Sequence, residues 1–129
     1  MLAGVEMIRM LKVAKDSAMK ARTQATNQMM ALVLTAPAGL RQALNGLSIS
    51  MPVRRCSGFR PGDLLTPTAA AKLALRSIAR RHQQLTAELR VINTELTRIT
   101  AETAPALLQA FCIGPDSAAA LLITAGDNP

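Results

Sequence analysis

The sequence predicts an all-α fold: long helices forming a coiled-coil linker, followed by a short helical hairpin at the C-terminal end. Three observations carry that expectation. Apolar residues recur at alternating steps of four and three along two long stretches, the spacing of a coiled-coil seam. The apolar half of the chain is Ala, Leu, Ile, Val and seven Met, with two Phe and no Trp or Tyr. Such small or flexible side chains suit narrow helix–helix seams better than a thick layered core. Thr66-Pro67 opens the second stretch, with Thr at the cap and Pro at the first helical position.

The first arm is expected over about 2–35. Met7, Leu11, Ala14, Ala18, Ala21, Ala25 and Leu32 mark its seam, with Gln28 at the missing rung. Alanine at seam positions lets helices approach closely but buries little area, so this arm is weak alone. Arg9, Lys12, Lys15, Lys20 and Arg22 are expected off the seam, on the broad outer face.

Pro37 and Gly39 are expected to end that helix, and Gly46 to end a short turn over 40–45. The stretch 47–59 reads as partly helical, with Pro52 confining or beginning the helix; it carries Arg54 and Arg55. Arg60-Pro61-Gly62-Asp63 reads as a turn.

The second arm, about 67–101, carries the clearest signal. Ala71, Leu75, Ile78, His82, Leu85, Leu89, Ile92, Leu96 and Ile99 hold the four–three alternation without a break. A helix of that length, roughly 50 Å, needs a partner, either the first arm folded back or another copy of the chain. The domain organisation expected is therefore a coiled-coil linker over 1–103, its two arms joined by short helices and turns, and the truncated start of a further domain over 104–129. Pro105 breaks the helical pattern, and Gly126-Asp127-Asn128-Pro129 looks like a severed ending.

The 129 residues suit one domain, with a formal charge of +7. That excess on a small chain favours a polyanionic partner, nucleic acid before a membrane surface; the plain alternative is a solvated helical surface that is simply basic. Cys56 and Cys112 stand far apart with His82 as the one histidine, which excludes the usual zinc spacings and points to reduced, inert thiols. Glu6 interrupts any signal-peptide core, and the uncharged run over 23–40 contains Gln24, Asn27, Gln28, Pro37 and Gly39. Neither segment reads as secretory or membrane-spanning, so the expected location is the cytoplasm.

Glu88, Glu95 and Glu102 stand seven apart. Successive Cα atoms ~10 Å apart cannot share a two-metal site, and the expected role is interhelical ion pairing beside the seam. His82 is expected to fix register there, with no nucleophile or carboxylate placed to work with it. No catalytic and no metal-binding residue is expected. The basic residues fall into three groups: Arg9, Lys12, Lys15, Lys20 and Arg22; Arg54, Arg55 and Arg60; Lys72, Arg76, Arg80 and Arg81. Lys72, Arg76 and Arg80, four apart, form a strip suited to phosphate backbones. No aromatic residue is interleaved, which argues against base stacking and for a duplex or structured RNA. Cys112-Ile113-Gly114-Pro115-Asp116-Ser117-Ala118 is similar to the hairpin of a helix-hairpin-helix motif, in which glycines let backbone N–H groups reach a phosphate; Gly114 completes the expected nucleic-acid contacts, and a ligand-free joint between helices is the alternative.

Several segments together resemble one family. They are Met7-Ile8-Arg9-Met10-Leu11-Lys12-Val13-Ala14-Lys15-Asp16-Ser17-Ala18, Lys20-Ala21-Arg22-Thr23-Gln24-Ala25, Arg60-Pro61-Gly62-Asp63 and Thr66-Pro67-Thr68-Ala69-Ala70-Ala71-Lys72-Leu73-Ala74-Leu75-Arg76-Ser77. Arg80-Arg81-His82-Gln83-Gln84-Leu85 and Gly114-Pro115-Asp116-Ser117-Ala118-Ala119-Ala120-Leu121-Leu122 complete the set. The chain looks like the middle of a bacterial insertion-sequence transposase of the family numbered one hundred and ten, the DEDD transposases with a RuvC-like N-terminal domain, related to the Piv invertases and guided by a bridge RNA. The resemblance covers nearly the whole chain. Two features depart from it: Pro52 stands where the family continues a helix, and Phe111-Cys112 replaces Pro-Gly before the hairpin.

The resemblance implies four metal-binding acids, holding a divalent ion such as Mg, before this region and a nucleophilic serine after it. No position here corresponds to them, so no cofactor is expected in this fragment and it is not expected to be an enzyme. The implied function is a truncated, catalytically inactive transposase that keeps helix-mediated association and weak nucleic-acid binding. Its implied partners are DNA, a structured guide RNA and a second copy through the coiled coil, with no membrane. The alternative is a free-standing dimerising helical module that modulates a full-length transposase.

Overall fold

The computed structural model describes residues 2–44 and 50–103. They form four helices and no strand: α1 Leu2–Thr35, α2 Ala38–Leu44, α3 Ser50–Ser57 and α4 Pro67–Thr103. The fold is all-α, with helices packed on helices. Gly46, Pro105, Cys112 and the hairpin with Gly114 lie outside the described residues.

Local chemistry sets the boundaries. Pro37 cannot continue α1, which ends at Thr35; the Pro37 carbonyl instead accepts from the Arg41 N–H at 3.0 Å as α2 begins. Gly39 lies inside α2 and does not end α1. Pro52 falls in the first turn of α3, where a backbone N–H has no intrahelical acceptor to lose. The stretch 60–63, expected as a turn, is irregular with a bend at Asp63; Gly62 stands at φ +67°, a left-handed backbone that glycine adopts at no steric cost. Thr66 caps α4: its Oγ1 accepts from the Ala69 N–H at 3.1 Å, and its carbonyl accepts from the Ala70 N–H at 3.1 Å.

The chain divides into two compact units. Among the described residues, unit 1 comprises 2–19 with 87–103, and unit 2 comprises 20–44 with 50–86. In each, a part of α1 lies antiparallel against a part of α4. In unit 1, Ile8, Leu96 and Ile99 are buried together with Leu11 and Ile92 against them. Gly4 marks the close approach at the end of this pair, since a Cβ there would come within 2.7 Å of Thr103 Oγ1. In unit 2, Met29, Leu75 and Ala79 meet Ala36, Leu40 and Leu44 around α2, and Val53 and Cys56 from α3 close the cluster.

The seam of α4 runs as the spacing predicts, with Leu75, Leu89, Leu96 and Ile99 buried. That of α1 is displaced at alternate positions. Ile8 and Met29 are buried while Met7, Ala14 and Gln28 are exposed. The alternation therefore runs Ile8, Leu11, Lys15, Ala18, Arg22, Ala25, Met29, Leu32 and Ala36. The expectation that Lys15 and Arg22 lie off the seam is corrected: Lys15 is buried and Arg22 half-buried. The reason is area. Burying Ile8 and Met29 removes far more apolar surface from water than burying Ala14 and Gln28, and Lys and Arg can lay their methylene stems along a seam while their heads reach water.

Candidate nucleic-acid interface

The basic residues separate by unit. Unit 2 contains ten of the fifteen Lys and Arg but one of the eight acids, Asp63, a net charge of +9. Among the described residues of unit 1, the other five basic residues are balanced by five acids. Among the described residues the whole positive excess therefore belongs to unit 2.

Of the first basic group, Arg9, Lys12 and Lys15 lie in unit 1. Arg9 is ion-paired with Glu6 one turn away, and Lys12 donates to Asp16 Oδ1 at 3.2 Å. These charges are matched locally, as i,i+3 and i,i+4 pairs on a helix surface usually are. Lys20 and Arg22 lie in unit 2.

The second and third groups meet in unit 2. The strip Lys72, Arg76 and Arg80 faces the end of α3 and the residues after it. Arg80 Nε donates to the Ser57 carbonyl at 3.1 Å, and Arg76 Nη1 makes a long bond of 3.4 Å to the Phe59 carbonyl. Lys72 Nζ stands 5.8 Å from the centre of the Phe59 ring, within reach of a cation–π attraction. Gln83 Nε2 donates to Ser57 Oγ at 3.1 Å, and that hydroxyl donates to the Arg54 carbonyl at 2.7 Å. The carbonyls at the C-terminal end of α3 have no partner within the helix and carry partial negative charge, so guanidinium groups are well placed there. Arg55 does the same for α2, donating from Nη1 to the Ala43 carbonyl at 2.9 Å.

The strip thus holds α3 in place, while Arg54 and Arg60 remain exposed. Arg81 is also exposed on α4. Arg41, in the last turn of α2 and exposed, joins the basic set; sequence reading passed over it because the short helix had no periodicity to place it. Gly114 lies outside the described residues.

Two of the three acids in the row on α4 share a cation of their own helix. Glu95 and Glu102 pair with Arg98 on the same helix, at 2.7 and 3.5 Å. Residues three and four apart are neighbours on a helix surface, which sets both pairs. His82 is half-buried at its seam position; burial lowers its pKa, and the Arg22 charge from α1 lowers it further. Cys56 is buried, and burial pushes its thiol up to about 11 against the opposing pull of Arg55, which keeps it protonated and unreactive.

Among the described residues, no group of three His, Cys, Asp or Glu stands close enough to hold a metal ion, and no helix is long and apolar enough to cross a membrane. No family model, curated protein or solved structure matches this chain.

Proposed function

We propose that unit 2 binds the phosphate backbone of double-helical nucleic acid, and that the chain serves as the helical association and binding segment of a transposase of the family it resembles. The observation that carries the binding is the segregation of charge: +9 in unit 2, against balanced charges among the described residues of unit 1. A field of that strength, concentrated on one compact unit, attracts polyanions regardless of their sequence. The absence of Trp and Tyr favours backbone contact over base stacking. The transposase assignment rests on the segments quoted above; in that reading the divalent metal and the strand chemistry belong to acids and a serine outside this chain.

Retention of a short DNA duplex at increasing salt tests the binding. Contact with about six phosphates predicts that affinity falls roughly a thousandfold between 50 and 200 mM salt. Arg81→Glu in unit 2 should weaken retention more than Arg90→Glu in unit 1, since both side chains are exposed and they differ in the field around them. Equal effects of the two reversals, or retention indifferent to salt, would refute the assignment of binding to unit 2.

A further inference from the structure

Leu64 and Leu65 lie in the segment joining α3 to α4, 57% and 86% exposed, and Leu65 is the most exposed large apolar side chain among the described residues. The others of this kind lie on helices. The segment is held at both ends. On one side Phe59 is engaged by Arg76 and Lys72, and the left-handed backbone at Gly62 follows. On the other side Thr66 caps α4. Two leucines are therefore presented to solvent from anchored backbone, in the unit that carries ten basic residues and one acid.

We propose that Leu64 and Leu65 form an apolar wedge that enters a base step of the duplex bound by unit 2. This rests on the nucleic-acid reading of that unit. A duplex matches both features of the unit: anionic rails for its excess of basic residues, and an apolar slot between stacked bases for two exposed leucines. Wedges of Leu, Ile, Phe or Met flanked by cations partly unstack a step and kink the helix. The step gives way most readily where it is flexible, as at pyrimidine–purine sites. An anionic membrane would supply charge and apolar surface too. The tip presents two leucines only, and the chain has no Trp or Tyr to anchor at a lipid interface, so a slot the size of one base step is the better match.

The test uses the full chain and a DNA duplex labelled at both ends, with retention and end-to-end distance read in the same samples. The comparison is the double variant Leu64→Ala/Leu65→Ala, which removes exposed side chains and should leave the circular dichroism unchanged. The wild type should bend the duplex by roughly 20° or more and prefer a duplex with a central mismatch by about tenfold over a fully paired one. The double variant should be retained at low salt but leave the duplex straight and lose the preference for the mismatch. A duplex that is retained yet straight with the wild type, or equally bent by the double variant, would overturn the wedge and leave the binding of unit 2 intact. Failure of the wild type to retain any duplex at low salt would overturn the reading beneath it. Capture by phosphatidylserine vesicles that depends on the two leucines, together with a straight duplex, would overturn the wedge in favour of a membrane.

Discussion

Thr100 is fully buried in unit 1, and its hydroxyl has no hydrogen-bond partner. An unsatisfied buried hydroxyl costs about 1–3 kcal/mol of desolvation with nothing returned. Thr100→Val keeps the shape and removes the group, so it should raise unfolding stability by about 1 kcal/mol in urea titrations; a loss of that size would mean the hydroxyl is in fact paired. Gly4 and Thr103 give a second case. Alanine at Gly4 favours the helix by up to about 1 kcal/mol, but its Cβ would press on Thr103 Oγ1. Gly4→Ala/Thr103→Ala should therefore be more stable than the two single changes added together, a coupling that a double-mutant cycle reads directly. His82 predicts a pH dependence. Its folded pKa lies below the ordinary value of about 6.5, so the unfolded chain takes up the proton first. The neutral ring's contribution is fully present above about pH 6.5 and is lost as pH falls toward the folded pKa. Thermal midpoints should drop between pH 7.5 and 5, and His82→Leu should flatten that slope, since the chain has one histidine.

At the scale of elements, α3 is an eight-residue helix, too short to be stable alone in water. Val53 and Cys56 anchor it on one side, and Arg80 and Gln83 hold its last turn on the other. Removing both polar contacts with Arg80→Ala/Gln83→Ala should raise the fraction of time α3 spends undocked by roughly tenfold, from about 1 kcal/mol or less for each lost bond. Cys56 reports that opening. Its thiol, pushed up to about 11 and buried, should alkylate slowly at pH 8 in the wild type and several-fold faster in the variant, as read on the Cys56 peptide by mass spectrometry. Unchanged labelling would show that the apolar side alone holds the helix.

For the whole molecule, the seam that called for a partner finds it within the chain, since α4 packs on α1 in both units. Association between copies, which the resemblance implies, would then draw on outward-facing side chains such as Met10 and Val13. Sedimentation at several concentrations checks this, and Met10→Lys/Val13→Lys should abolish a dimer without unfolding the chain. Each unit carries its own apolar cluster, and a Leu→Ala change in a packed cluster costs about 2–5 kcal/mol. Leu75→Ala should therefore lower stability by that amount and weaken duplex retention with it. Leu96→Ala, in unit 1, should cost similar stability and spare retention at temperatures where the chain is folded.

Helix positions and their ends were legible from residues alone: Thr66-Pro67 starts α4, Pro37 stops α1, and Arg60-Pro61-Gly62-Asp63 lies between helices, because caps and ring constraints act over a few residues. The seam of α4 was legible for the same reason, being written in large residues at unambiguous spacing. The seam of α1 was not. Its alanine rows and its Ile8–Met29 row differ little along the chain, and only packing against α4 decides which of them removes more surface from water. The roles of the charges also belong to the tertiary structure. Sequence counts a net +7; folding places the excess in unit 2, turns Lys72, Arg76 and Arg80 toward the end of α3, and leaves Leu64 and Leu65 uncovered. Charge and apolar surface act through space, and the neighbours that give them meaning arrive only when distant parts of the chain meet.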